Sequence, residues 1–139
     1  MKTAVLAFLL ATVTGSSAWA AGYKVIIHPS NDRGSIAKKE LAQVFLKKVP
    51  KWESGTPVVP VDLQEKSAVR ATFTNEVHGK SVSAVKSYWQ QQIFSGRDVP
   101  PVEKVSDAEV LAFVKTNPGA IGYVSESADL GGVKVLQVR

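Results

Sequence analysis

Apolar positions along this chain change their period from one segment to the next. Residues 23–28 (YKVIIH) form a near-continuous β-branched and aromatic run closed by Pro29, the pattern of a strand in the interior of a sheet. Residues 29–34 (PSNDRG) make a polar turn. From Ser35, which can cap a helix, to about Lys48, residues Leu41, Val44, Phe45 and Lys48 recur at helical spacing, with Lys38, Lys39 and Glu40 on the wetter side. Pro50 stops that helix and residues 51–55 turn. Residues 57–62 (PVVPVD) then read as a short strand, which Pro60 assigns to a sheet edge or partly outside the ladder.

Two more helices follow. The first runs from about Lys66 to His78, with Val69, Phe73 and Val77 on one face and Gly79 at the position that ends a helix in a left-handed residue. The second runs from about Ser83 to Ser95, and Val82, Val85, Trp89 and Ile93 supply its buried stripe. Beyond Pro100 and Pro101, residues 102–105 form a brief strand. Ser106-Asp107-Ala108-Glu109 has the form of a capping box ahead of the inward-facing Val110, Leu111 and Val114. Asn117-Pro118-Gly119 ends that helix. Residues 120–124 (AIGYV) make a strand in which Gly122 allows close backbone approach, and residues 133–138 (VKVLQV) make the last one. Strands and helices alternate with no internal linker, so the expectation is one α/β domain with a central mixed β-sheet covered by helices.

The first 20 residues stand apart. Met1-Lys2 is a short positive start, residues 3–13 (TAVLAFLLATV) are largely apolar, and Ala18 and Ala20 occupy the −3 and −1 positions of a cut before Ala21. This is the layout of a secretory signal peptide, and the apolar run is too short for a transmembrane helix. The expected product is residues 21–139 as a single domain, periplasmic or secreted, with no stable membrane insertion once the leader is gone.

Composition narrows the chemistry. Apolar residues are 45% and charged residues 21% of the chain, ordinary globular usage that argues against disorder. The formal charge of +5 suits anionic partners, but Lys47, Lys48 and Lys51 read as the solvated end of a helix, and no nucleic-acid partner is expected. Cysteine is absent, which excludes disulfides, thiol catalysis and cysteine-ligated metals. With two histidines, His28 and His78, and no zinc-protease, nucleophile-elbow, P-loop or dinucleotide motif, neither an enzyme nor a cofactor or metal is expected.

Residues 65–70 (EKSAVR) are the strongest small-ligand feature. Ser67 and unpaired backbone N–H groups meet at a helix start with Arg70 three residues on, a set of donors suited to an oxyanion. The same residues also fit an ordinary Ser cap and an arginine on the surface or paired with Glu65 or Asp62. The turn at residues 29–35 is a second candidate, with Ser30 and Asn31 beyond the end of a strand, or else an ordinary strand-to-helix loop. His28 closes a strand. His78 lies in the last turn of a helix, where a positive side chain complements the dipole. Trp52, in its turn, is the more exposed stacking candidate, and Trp89 belongs to the core.

Residues 45–55 (FLKKVPKWESG) and 57–62 (PVVPVD) together resemble the "IFxGKxxxWxxGxxIxPVDR" stretch of the periplasmic phosphate-binding proteins of ABC transporters. Residues 67–73 (SAVRATF) resemble the "SGTRxxF" that follows in that family, and residues 106–114 with 117–124 (NPGAIGYV) resemble its later "nPGAIGYv" segment. The resemblance implies a single periplasmic-binding-protein-like lobe that binds phosphate or a similar oxyanion without turning it over. It places Ser67 and Arg70 on the phosphate-contacting positions, with Ser30 as a further contact in the same cleft. Ala68-Val69 stand where the family has Gly-Thr, removing a hydroxyl whose loss is worth about 1–3 kcal/mol. Family members are about twice this length and close two lobes over the ligand. The implied partners are therefore the oxyanion, a second copy or a second lobe from another protein, and an ABC transporter permease. The alternative is an accessory interaction or dimerisation module that kept the fold and lost anion binding.

Overall fold

In a computed structural model, residues 22–139 are described; the expected leader and its cut before Ala21 lie outside the described residues. Strand β1 (Tyr23–Ile27) is interior, as its apolar run predicts, and pairs antiparallel with both β5 (Ala120–Ser125) and β6 (Lys134–Val135). Strand β3 (Val59–Leu63) runs parallel to β5 and to β4 (Val102–Lys104). The sheet order β4-β3-β5-β1-β6 is thus mixed, in an α/β fold.

Helices cover both faces of the sheet. Phe45 of α1 (Lys38–Phe45) and Phe73 of α2 (Ala68–His78) pack against Tyr123 of β5, with the Phe73 and Tyr123 rings stacked at 3.8 Å. On the other face lies α4 (Asp107–Thr116), whose Val110 and Val114 approach Gly122 so closely that a Cβ there would sit 2.8 Å from Val110 and 2.7 Å from Val61. The close approach at Gly122 is therefore of side chains rather than backbone. Helix α3 (Val82–Phe94) buries Val85 and Trp89 but leaves Ile93 half exposed, so its apolar stripe is shorter than the periodicity predicts.

Several local expectations yield to tertiary pairing. Pro60 does not place β3 at an edge, but it does lie outside the ladder with β4, the other alternative its sequence offered. Val59 N–H points to Gly119 O on the β5 side, so the next residue faces β4, and β4 begins pairing only opposite Val61. The missing N–H of Pro60 thus falls where no ladder bond is needed. Ser35 does not cap α1: with Ile36 it forms β2 (Ser35–Ile36), paired parallel with β7 (Gln137–Val138), and the cap position passes to Ala37. The last strand is accordingly two, β6 and β7, because the chain leaves β1 after Leu136 to reach β2.

Helix α1 stops at Phe45, three residues short of Lys48. Lys47 adopts φ 58°, and the Lys47 and Lys48 amides donate to Val44 O and Gln43 O, a paired closure that usually employs glycine. Glycine carries no Cβ to strain in this region. The expected outcome for Lys47→Gly is therefore a stabilisation of about 0.5–1 kcal/mol, read as a higher urea midpoint with an unchanged slope.

Candidate functional site

Leu63 ends β3, and the chain turns through residues 64–66 into Ser67, the N-cap of α2. The Ser67 hydroxyl accepts from Arg70 N at 3.2 Å, as the Ser-cap reading expects. Helix geometry leaves the amides of Ala68 and Val69 without intrahelical partners. Ala68 is exposed, while Val69 packs against the core. At its other end α2 closes on Gly79 in the left-handed conformation, as expected.

Arg70 does not lie on the surface. It is 5% exposed and folds back along the end of the sheet, where Nη1 donates to Leu63 O at 3.0 Å and to Glu103 Oε1 at 2.6 Å. Nη2 lies 4.0 Å from Asp62 Oδ2, and Nε is buried without a hydrogen-bond partner. Of the two carboxylates the sequence offered as partners, Asp62 is taken. Glu65 pairs instead with Lys86 of α3 at 2.9 Å. Glu103 has no counterpart in the sequence reading, since nothing local joins residues 33 positions apart.

A second missed residue completes the cluster. Tyr123 donates its hydroxyl to Asp62 Oδ1 at 2.7 Å and accepts from Leu63 N at 3.3 Å. Burial raises the Asp62 pKa, while Arg70 and the tyrosine hydrogen bond pull the other way. Burial and the neighbouring Asp62 push the Tyr123 phenol far up, so it stays a donor. Burial also opposes the charge on Arg70, but Asp62 and Glu103 outweigh it and keep the guanidinium protonated. The Arg70 side chain opens onto a groove of about 350 Å³ between α3 and β4, walled by Val82, Lys86, Trp89, Ile93 and Glu103. Ser67 does not line that groove; it stays beside it as the cap.

Ser30 lies elsewhere. Because β1 runs antiparallel to β5, its end falls beside Ile121 and the start of β3, whereas Arg70 sits at the finish of β3. Ser30 therefore lies apart from the Arg70 groove and the start of α2, and its hydroxyl pairs with His28 Nδ1 at 2.7 Å. The adjoining loop forms a separate hollow of about 340 Å³ with Asn31, Arg33 and Trp52. Trp52 is not the exposed stacking residue expected: it is buried and donates Nε1 to Gly119 O at 2.9 Å. Among the described residues, no cluster of three His, Asp or Glu could hold a metal ion, and no helix is long and apolar enough to cross a membrane.

No family model and no curated protein matches the chain. Among solved structures it is similar to a substrate-binding protein assigned to phosphate ABC transport from Clostridium perfringens, solved with bound phosphate. That match has a TM-score of 0.67 at 20% identity and covers 85% of this chain and 45% of that one. An ABC-type phosphate transport receptor from Vibrio cholerae matches at TM-score 0.66 and 16% identity, over 85% of this chain and 46% of the receptor. PstS from Borrelia burgdorferi matches at TM-score 0.66 and 14% identity, over 86% and 47%. The chain thus spans less than half the length of these structures. Its fold is that of a single periplasmic-binding-protein-like lobe.

His78 differs from its sequence reading. It packs edge-on to Phe73, and burial, reinforced by Lys80 and Arg70, pulls its pKa from 6.5 down to about 4, so at neutral pH it is uncharged and does not complement the α2 dipole. The folded chain therefore takes up this proton later than the unfolded chain as pH falls. The His78 contribution to stability is complete above pH 6.5 and is lost as pH falls from 6.5 towards 4. Unfolding midpoints at pH 7.5 and 5 should differ less in H78Q than in the parent, and NMR titration should place the parent imidazole near 4. For Tyr123→Phe, which strands both Asp62 Oδ1 and Leu63 N, the expected loss is about 1–3 kcal/mol in chemical denaturation.

Proposed function

We propose that this chain is an exported, non-enzymatic binding protein that takes phosphate or a similar oxyanion at the start of α2. The observation that carries the reading is Arg70, a guanidinium 5% exposed with an unpartnered Nε, beside a helix start whose first amides are free. Backbone N–H groups at the positive end of a helix dipole and a planar cation together suit a tetrahedral oxyanion. Ser67 and Arg70 are the contacting side chains in this proposal, and Ser30 has no part in it. Solved relatives of the fold include one with phosphate bound, which supports the ligand class. The leader-like residues 1–20 support a periplasmic or secreted location, and ABC-type uptake through a permease is the process this reading fits.

One observation favours a second reading, that of an interaction module. All five large hydrophobic side chains exposed among the described residues, Ile93, Phe94, Val99, Val102 and Val105, fall within 13 residues, Ile93 on the wall of the groove, and Phe94 is 96% exposed. Such a concentration suits a surface that another protein covers.

A ¹H–¹⁵N titration of residues 21–139 with phosphate, against sulfate and chloride at matched ionic strength, separates the two. The expected result is saturable shifts centred on Ser67 to Arg70 and weakened at least tenfold in R70K, which keeps the charge but not the planar fork. Spectra that stay flat to millimolar phosphate, together with a dimeric mass in solution, would instead establish the interaction module.

A further inference from the structure

We infer that Glu103 holds the place on Arg70 that an incoming oxyanion would take, so that binding is a competition with an internal carboxylate; this rests on the oxyanion reading above. Among the described residues, Asp62 and Glu103 are the carboxylates within 4.0 Å of the guanidinium, and they are not equivalent. Asp62 sits inside β3, buried, and is held by the Tyr123 hydroxyl. It cannot leave without stranding that donor. Glu103 belongs to the edge strand β4, its side chain is 50% exposed, and the Arg70 nitrogen is its one hydrogen-bond partner. A rotation about its side-chain bonds carries it into water.

Charge decides the rest. The groove is lined by two cations, Arg70 and Lys86, and two carboxylates, Glu65 and Glu103, with the buried Asp62 as a third carboxylate against Arg70. Lys86 and Glu65 neutralise one another, which leaves one guanidinium between two carboxylates. With Glu103 in place, a phosphate dianion approaching Arg70 meets a carboxylate 2.6 Å from the donor it needs, and like charges that close oppose each other strongly. With Glu103 turned away, one N–H of Nη1 is released to the groove while the other stays on Leu63 O and Asp62 still supports the cation. Glu103 thus keeps Arg70 paired when the lobe is empty, and sets how much oxyanion is needed to displace it.

The test compares the parent, E103Q, E103A and R70K as residues 21–139 titrated with inorganic phosphate. Amide shifts of Ser67 to Arg70 and the side-chain ¹³C resonances of Glu103 are followed together, and spectra without phosphate establish that each variant is folded. The expected result is at least tenfold tighter phosphate binding in E103Q and tighter still in E103A. Glu103 in the parent should shift in step with the α2 amides as phosphate displaces it. Equal affinity in the parent and E103Q, or a Glu103 side chain that stays still while the amides saturate, overturns the displaced-carboxylate inference and leaves the oxyanion reading standing. Absence of saturable shifts in every form, including E103A, overturns the oxyanion reading and this inference with it.

Discussion

A guanidinium removed from water at the end of β3 is the constraint around which this lobe is organised. A buried charge is tolerated only when paired and hydrogen-bonded, and stripping one partner from such a pair typically costs about 3–5 kcal/mol. Arg70 meets that demand by drawing on several elements at once. Leu63 gives a carbonyl and Asp62 a carboxylate from β3, Glu103 gives a carboxylate from β4, and Tyr123 of β5 steadies Asp62. Tyr123 can do so because its ring is an apolar body stacked on Phe73 while its hydroxyl reaches the polar cluster. One aromatic residue therefore joins the hydrophobic core to the ionic site, and α2 is tied to the sheet by both.

What the sequence made legible was local. Ser67 and Ser106 each cap a helix through contacts three residues away, and Gly79 closes α2, so short windows suffice to place those ends. The strands at residues 23–27 and 120–125 are readable because burial on both faces makes them continuous apolar runs. The end of α1 was misread for a local reason, the left-handed Lys47, but most other misread features depend on distant partners. Ser35 is drawn from capping by Gln137, Trp52 is buried by a bond to Gly119, and Pro60 is admitted to the sheet interior because β4 starts one residue later.

The candidate site divides the same way. Ser67 and Arg70 share one helical turn, and their spacing is visible in residues 65–70. Glu103 and Tyr123, which decide the charge and rigidity around Arg70, come from strands 33 and 53 positions further on and leave no pattern near it. Ser30 failed for a topological reason. A loop after a strand was expected at the same sheet end as the α2 start, which holds for parallel neighbours, but β1 enters antiparallel and delivers its loop to the opposite end.

If an oxyanion binds at Arg70 as proposed, two demands meet on one guanidinium. The chain spans less than half the length of the phosphate-related structures it matches, and on the wall of its groove the Glu103 side chain is half exposed. Water competes for each donor there, and an empty site keeps a buried guanidinium whose charge must be balanced. A half-exposed carboxylate on an edge strand meets both conditions: it pairs the cation in the empty state, and it is the neighbour most easily displaced by a stronger anion. On the proposed competition, the bond that pairs Arg70 in the empty lobe subtracts from oxyanion affinity, and the two quantities are set against each other through one side chain.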